Sequence, residues 1–524
     1  MESDAPISPS LRWAITGAIM LVTTLQVLDT TVINVALPHI QGSMSASVEE
    51  VTWVFTSYLA ANAIILPATG WLSGLLGRKR FLLIVVGVFI GSSFLSGIAP
   101  NLTVLILARI LQGLGGGPLI PTSQAIMWEI FPLRQRGMAM AIWGIGVMFG
   151  PIAGPILGGW VTDNWSWRWI FYMNIPIGLA GLFMLSAFLF DPPYLQKPAR
   201  IDGWGLGFMV LGFGALQLVL DRGEREDWFA SDWIVAGSVL AGVALLAFLV
   251  RQVLTDHPVM DLGVMRDSNF AISTIIVTMM ATGLYASMIL IALYAQTLLG
   301  YDAWTSGMVL VPAGVGNLIS LLLAGWLVNR VDARLLLAFG AAVNAGALYE
   351  MGRITLAVDY WHLVWPRFLH GLALPFIFIP LTTLAFAAVP RAKLGNATAV
   401  YNVIRNVGGS IGVAVAATFL VRRSQVHQAT LASHVNVWDP ETALHLRQWT
   451  DHFLRQGADA VTAEGQAVAM LYRSLVAQAR VLAFMDDFRF LALLFALMLL
   501  LIPFLRRVSM ESPSDAPARG PAIE

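Results

Sequence analysis

Apolar residues run along this chain in long blocks parted by short polar segments. Fourteen blocks fall near 13–37, 51–74, 81–99, 102–127, 137–162, 168–190, 203–220, 233–252, 270–297, 305–328, 334–354, 361–388, 397–421 and 487–505. A helix rises about 1.5 Å per residue, so blocks of this length suffice to cross a hydrocarbon layer about 30 Å thick. The pattern predicts an all-α integral membrane protein with fourteen transmembrane helices. An even number returns both ends to one side. "GRKR" at Gly77, "RQR" at Arg134, "KPAR" at Lys197, "NRVDAR" at Asn329, "PRAK" at Pro390 and "RR" at Arg506 fall on that side, whereas the short opposite loops hold about four Lys or Arg. Cationic loops stay in the cytoplasm, so both termini are expected there. The segment 422–485 carries six Arg yet lies opposite; long loops escape the charge rule. The apolar block after "MESDAPISPSLRW" is too long for a signal-peptide core and reads as a retained first helix.

The blocks repeat. "TGWLSGLLGRKRFLL" from Thr69 matches "AGWLVNRVDARLLLA" from Ala324 at an offset of 255, and "RILQGL" from Arg109 matches "RFLHGL" from Arg367 at 258. "GPIAG" from Gly150 aligns with "GGSIG" from Gly408, again at 258. Blocks 1 to 6 and 9 to 14 are thus two copies that start on the same side, which makes them parallel repeats. The expected division is an N-terminal half over 1–202, an inserted helix pair over 203–252, and a C-terminal half over 253–524.

Composition narrows the chemistry. With 57% apolar and 12% charged residues, the chain cannot clothe a globule of this size in polar surface. Net charge is zero without a long basic run, so nucleic acid is not an expected partner. Cysteine is absent, which excludes disulfides, thiolate metal sites and thiol catalysis. No GxxxxGK[ST] loop is present, so ATP is not the expected energy source, and no cofactor or metal is expected.

Charges inside the blocks carry the functional signal. Asp29 sits inside the first, where an ionised acid costs about 3 kcal/mol even on lenient insertion scales. Gln26 shares its helical face. Counting residues from the helix ends puts Arg109 at the same depth. An acid that can trade its proton for a guanidinium has two states of similar energy, which is what coupling to a proton gradient requires. A permanent structural ion pair is the alternative. The repeat offset carries Asp29 to the neighbourhood of Tyr285 and Ala286, both neutral. Arg367 and Arg405 are further deep cations, with bonds to helix-end carbonyls as the structural alternative. One acid against three Arg favours neutral amphiphiles and hydrophobic weak acids over dications, with Arg405 as an anchor for an anionic group. Tyr58, Trp143, Tyr285, Tyr294 and Tyr401, with Asn34 and Gln112, are candidate wall residues of the cargo site. His370 stands where Gln112 stands in the first copy and reads as a core histidine.

"LDTTVINVALP" at Leu28, "GWLSGLLGRKR" at Gly70, "RILQGLGGGP" at Arg109, "GIGVMFGPIAGPILGG" at Gly144 and "WRWIFYMNIPIG" at Trp167 resemble the signature motifs of the major facilitator superfamily. Fourteen helices, "LDRGEREDWF" at Leu220 and "WPRFLHGLALPFIFIPLTT" at Trp365 resemble its drug:proton antiporter branch and the EmrB-like multidrug exporters. The resemblance implies two six-helix repeats that exchange inward protons for outward hydrophobic compounds. It also implies a gating role for Gly70, Arg78 and Arg80, and an antiporter motif at Gly150, Pro151, Gly154 and Pro155. The glycines let neighbouring backbones approach, and the fifth helix reads as a kinked element between the halves. One departure is plain: the superfamily pattern has Asp where this chain has Gly74, and Asn329 stands there in the second copy.

The segment 422–485 has helical composition and half of the histidines, His427, His434, His445 and His452, at spacings that form no i,i+4 metal pair. It reads as a periplasmic docking surface or a solvated cap. The resemblance implies a membrane-fusion adaptor and an outer-membrane channel as partners, and the bacterial inner membrane as the location. A dedicated exporter of one metabolite, such as a fatty acid or siderophore, and a non-transporting receptor of the same fold are the other readings.

Overall fold

The computed structural model describes residues 8–132, 135–191, 202–255, 257–301, 303–436 and 439–507. The side chains of Asn34, Pro151 and Pro155, the residue Arg134 and the "KPAR" segment lie outside the described residues. The elements are α1 (Pro9–Met44), α2 (Val48–Ile65), α3 (Thr69–Leu76), α4 (Arg78–Gly97), α5 (Leu102–Gly116), α6 (Leu119–Ile130), α7 (Arg136–Asn164), α8 (Trp169–Tyr172) and α9 (Asn174–Phe188). They continue with α10 (Gly203–Arg222), α11 (Asp232–Leu254), α12 (Ser268–Thr297), α13 (Ala303–Leu327), α14 (Ala333–Met351), α15 (Tyr360–Phe386), α16 (Leu394–His434), α17 (Pro440–Arg455) and α18 (Ala460–Leu501).

Among the described residues, twelve helical stretches are long and apolar enough to cross a membrane. The 29-residue α7 and the 19-residue α14, whose hydropathy is diluted by Arg334, Asn344 and Glu350, complete the fourteen. Three spans are broken where the sequence dictates. Pro67 lies in the 3₁₀ turn between α2 and α3, Gly117 and Pro118 part α5 from α6, and Met173 separates α8 from α9. Such breaks are tolerated in lipid because neighbouring helices re-satisfy the freed backbone groups.

One bundle is built by α1, α2, α4, α5, α7 and α9, the other by α12, α13, α14, α15, α16 and α18. Thr24 and Thr31 of α1 donate to the carbonyls of Gly146 and Gly150 in α7 at 3.0 Å, and Thr282 of α12 donates to Gly408 in α16 at 2.9 Å. The pair α10–α11 packs on α2 and α16. Thr56 donates to Asp221 on one side, while Ser410 donates to Gln217 and Trp228 to Thr418 on the other, so the pair straps the bundles together. Val239, Val243, Leu246 and Val250 of α11 stand exposed in one stripe, the apolar face a peripheral helix turns to lipid.

One expectation is corrected. Helix α1 runs to Met44 rather than 37, because "PHIQGSM" continues the helix until Ser45 adopts left-handed geometry. Over 422–485, α16 and α18 continue as single helices of 41 and 42 residues, with α17 packed on α18 between them. At 1.5 Å per residue each is about 60 Å long, twice the hydrocarbon layer. The glycine face of α7 is tightly packed. A Cβ on Gly150 would lie 2.6 Å from Val27 Cγ1 and 2.8 Å from the Val27 carbonyl carbon, and Gly146, Gly154 and Gly158 likewise meet α1. The stripe therefore seals α7 to α1 within one bundle. A different face of α7, with Gly137, Ala141 and Gly144, meets Leu321 and Gly325 of α13, and Val328 just after it, in the other.

Candidate functional site

Asp29 lies in the middle of α1, 4% exposed, and its carboxylate is caged by three donors from two other helices, α5 and α9. Arg109 Nη1 of α5 donates to Oδ2 at 2.7 Å, Gln112 Nε2 to Oδ1 at 2.9 Å, and Asn174 Nδ2 at the start of α9 to Oδ1 at 2.7 Å. Ser93 Oγ of α4 accepts from both amides, at 2.6 and 3.3 Å. Arg109 has other holds: Nε donates to the Val54 carbonyl at 3.1 Å, Nη1 to Gln112 Oε1 at 2.7 Å, and the guanidinium lies 4.3 Å from the Tyr58 ring centroid. A proton on Asp29 would neutralise the carboxylate and leave Arg109 still held by a carbonyl, an amide and an aromatic face. Those partners are neutral, and Arg109 Nη2 is buried without a partner among the described residues, so the protonated state is the less stable of the two at this arginine.

The helix positions make this meeting possible. Gly113, Gly115 and Gly117 follow Arg109, and a Cβ on Gly115 would sit 2.8 Å from the Phe89 backbone nitrogen of α4. The bare backbone of "GLGGGP" draws α5 against α2 and α4, which brings Gln112 to Ser93.

The duplicated position in the second bundle is different. Adding 258 to Asp29, Arg109 and Gln112 gives Ser287, Arg367 and His370. Arg367 Nη1 donates to Ser287 Oγ at 3.4 Å, and His370 Nε2 lies 3.3 Å from the same oxygen. Arg367 thus meets a hydroxyl across the bundle, not the helix-end carbonyls considered from sequence. The position equivalent to Asp29 is Ser287, the residue directly after the expected Tyr285 and Ala286.

The other expected residues do not converge on one site. Gln26 shares the Asp29 helix face, but its Oε1 is buried without a hydrogen-bond partner among the described residues. Gln112 and Tyr58, expected along a cargo wall, belong to the Asp29 cage. Trp143 stacks on Phe378 with centroids 6.2 Å apart and Trp128 meets Phe386 at 5.4 Å, both across the seam between bundles, while Tyr401 joins Phe386 within the second bundle. Tyr285 packs on Gly409, within the second bundle. Tyr294 donates to the Thr355 carbonyl at 2.7 Å beside Phe484, toward the opposite membrane face. Arg405 is half-buried, with Nε unpartnered among the described residues. Asn34, Pro151 and Pro155 are outside the described side chains.

The bundles close on each other toward the face that carries the termini. A Cβ on Gly70 would lie 2.8 Å from Asn396 Cα, so only glycine lets α3 meet the start of α16. Asn402 Nδ2 donates to Gln124 Oε1 at 2.7 Å, joining α16 to α6, and both residues are fully buried. Asn396 exchanges hydrogen bonds with the Asp261 backbone, and Lys393 Nζ meets Asp261 Oδ2 at 2.8 Å. Burial pushes the Asp261 carboxyl up, but the Lys393 hydrogen bond and the Gly263 N–H outweigh it and hold it below its usual range. Gly74 leaves no acid where the superfamily pattern has one. Glu129 at the end of α6 instead pairs with Arg78, and Asp191 accepts from the Lys79 N–H at 2.8 Å. Arg80 is exposed.

Sequence reading missed Asn174, Ser93, Gln124, Asn402, Glu129 and Ser287. Asn174 alone carried a signal, as a lone amide in the apolar run "FYMNIPIG".

Outside the membrane, His427 Nε2 lies 2.8 Å from Asp486, which also accepts from Arg423 at 2.7 Å, and this triad ties α16 to α18. Among the described residues no group of acids and histidines could hold a metal ion.

The family pattern of the Major Facilitator Superfamily matches residues 19–413. The multidrug export protein EmrB of Escherichia coli (strain K12) is 34% identical over 441 residues, 84% of this chain and 86% of that one. The fatty acid resistance protein FarB of Neisseria gonorrhoeae is 35% identical over 442 residues, 84% and 87% of the two chains. The crystal structure of the human organic anion transporter MFSD10 superposes with a TM-score of 0.62 at 12% identity, covering 95% of this chain and all of that one, which speaks to the fold.

Proposed function

The chain belongs to the major facilitator superfamily, and on that premise we propose that it is a proton-coupled exporter of hydrophobic neutral or weakly acidic compounds. Asp29 carries the proton and Arg109 tunes its hold. The observation that carries this reading is the buried Asp29 carboxylate facing an Arg109 that keeps a carbonyl, an amide and an aromatic ring as alternative partners. Protonation weakens the bond from α1 to α5 and α9, and deprotonation restores it. Alternating access follows if cargo and proton favour different openings of the two bundles.

The division into an N-terminal half, the 203–252 pair and a C-terminal half serves this rocking, with Gly70, Arg78, Asn396 and Gln124–Asn402 as the closing surface. Arg405 is the candidate anchor for an acidic head group. The loop charges support cytoplasmic termini in a bacterial inner membrane, and the α16–α17–α18 projection is the surface for a periplasmic adaptor leading to an outer-membrane channel. The likeness to FarB favours one second reading, a dedicated exporter of fatty acids.

Proteoliposomes test both. An imposed pH gradient should drive uptake of several unrelated lipophilic compounds into inverted vesicles, whereas uptake of fatty acids alone supports the dedicated exporter. Asp29→Asn should abolish gradient-driven uptake while cargo binding persists. Normal pumping by that variant sinks the assignment of the proton carrier.

A further inference from the structure

We propose that Arg367, Ser287 and His370 form an anion site in the second bundle, built for one compact monovalent anion: the carboxylate head of an acidic cargo molecule or a halide. Arg367 is 2% exposed, and Ser287 and His370 are fully buried. The guanidinium has a 3.4 Å bond to a hydroxyl, its Nε is buried without a partner, and no carboxylate among the described residues lies within ion-pair distance. Arginine does not shed its proton in proteins. A buried guanidinium without a counter-charge costs several kcal/mol.

The first bundle displays the geometry this arrangement satisfies. There the same arginine position and the residue one turn later both donate to a carboxylate, Arg109 Nη1 at 2.7 Å and Gln112 Nε2 at 2.9 Å. Replacing the aspartate by Ser287 keeps the donors and removes the internal anion. Ser287 Oγ donates to the Leu284 carbonyl or to His370 Nε2. In the second arrangement the ring proton sits on Nδ1, itself buried and unpartnered, so the cluster offers a further donor beside the cation. Depth limits the ligand to a compact group. A guanidinium with an imidazole N–H suits a carboxylate or a halide and repels cations. The carboxylate arm rests on the exporter reading; the halide arm does not.

The test uses the full purified chain in detergent, with Tm read from tryptophan fluorescence. Chloride and bromide are compared with gluconate at equal ionic strength and pH, and octanoate is compared with octanol. A saturable rise in Tm with halide assigns the site to a halide, and a rise with octanoate but not octanol assigns it to a carboxylate. Ser287→Asp supplies the missing acid in place, so it should fold at least as stably and lose the response, with apparent anion affinity falling tenfold or more. Arg367→Gln should lose it as well; should that variant fail to fold, Ser287→Asp still decides. Equal Tm in all salts and octanoate, or a response undiminished by Ser287→Asp, overturns the site. Because the readout is stability, its failure leaves the exporter reading untouched, and a normal anion response with no gradient-driven uptake overturns the exporter alone.

Discussion

Asp29 holds its place in the membrane because three donors converge on it, and each donor can be withdrawn separately. Asn174→Ala leaves Oδ1 with one amide instead of two, and the loss of a buried partner is expected to cost about 1–3 kcal/mol. Denaturation of the variant in detergent measures this, and gradient-driven transport should slow alongside it. An unchanged midpoint removes Asn174 from the cage. The apolar pattern placed Asp29 and Arg109 inside their helices, and the two meet although α1 runs seven residues past the end from which their depths were counted. That pattern could not reach Asn174, 145 positions away in sequence, or Ser93, whose hydroxyl is common in membrane helices. Asp261 gives the pH prediction. Its folded carboxyl lies below the usual range, so its stabilisation is fully present above the ordinary carboxylate pKa of about 3.9 and is lost as pH falls through the lower folded value. Melting temperature should therefore hold between about pH 5 and 7 and fall in the acid limb, and Asp261→Asn should flatten that limb.

At the scale of elements, the "GIGVMFGPIAGPILGG" helix shows what periodicity leaves open. Glycines four apart announce a close helix contact. They do not say with what. The partner is α1, through Val27, Thr31 and Val32, because hydroxyls of α1 also bond the α7 carbonyls. Gly150→Ala would press a methyl group onto the Val27 backbone, and overpacking of this kind costs about 1–3 kcal/mol. Thermal unfolding should register it. The Asp29 cage, which hangs on the same α1, should lose transport rate in step. A Gly150→Ala variant as stable and active as the parent would show that α1 and α7 are free to separate.

For the whole molecule, the closures toward the termini face predict a motion. Gln124 and Asn402 touch across the bundles, and the chain has no cysteine, so Gln124→Cys with Asn402→Cys gives a single thiol pair. Bridging them with a short, reducible crosslinker should cut transport at least tenfold, and reduction should restore it. Full activity in the bridged protein would rule out separation of the bundles at this face. The α10–α11 strap touches both bundles, so its bonds at Asp221, Gln217 and Trp228 must stretch or pivot in the same motion.

The sequence alone determined the class of solvent, the long apolar spans and an acid, Asp29, buried inside the first of them. These follow from one-dimensional quantities: lengths of apolar runs and the charge inside them. Tertiary structure decided which amides cage Asp29, that the glycine stripe of α7 serves its own bundle, that Glu129 and Asp191 stand in for the acid absent at Gly74, and that Arg367 meets a serine. Each of these depends on how helices far apart in sequence are rotated about their axes, and helix rotation is set by packing between surfaces that no local pattern encodes.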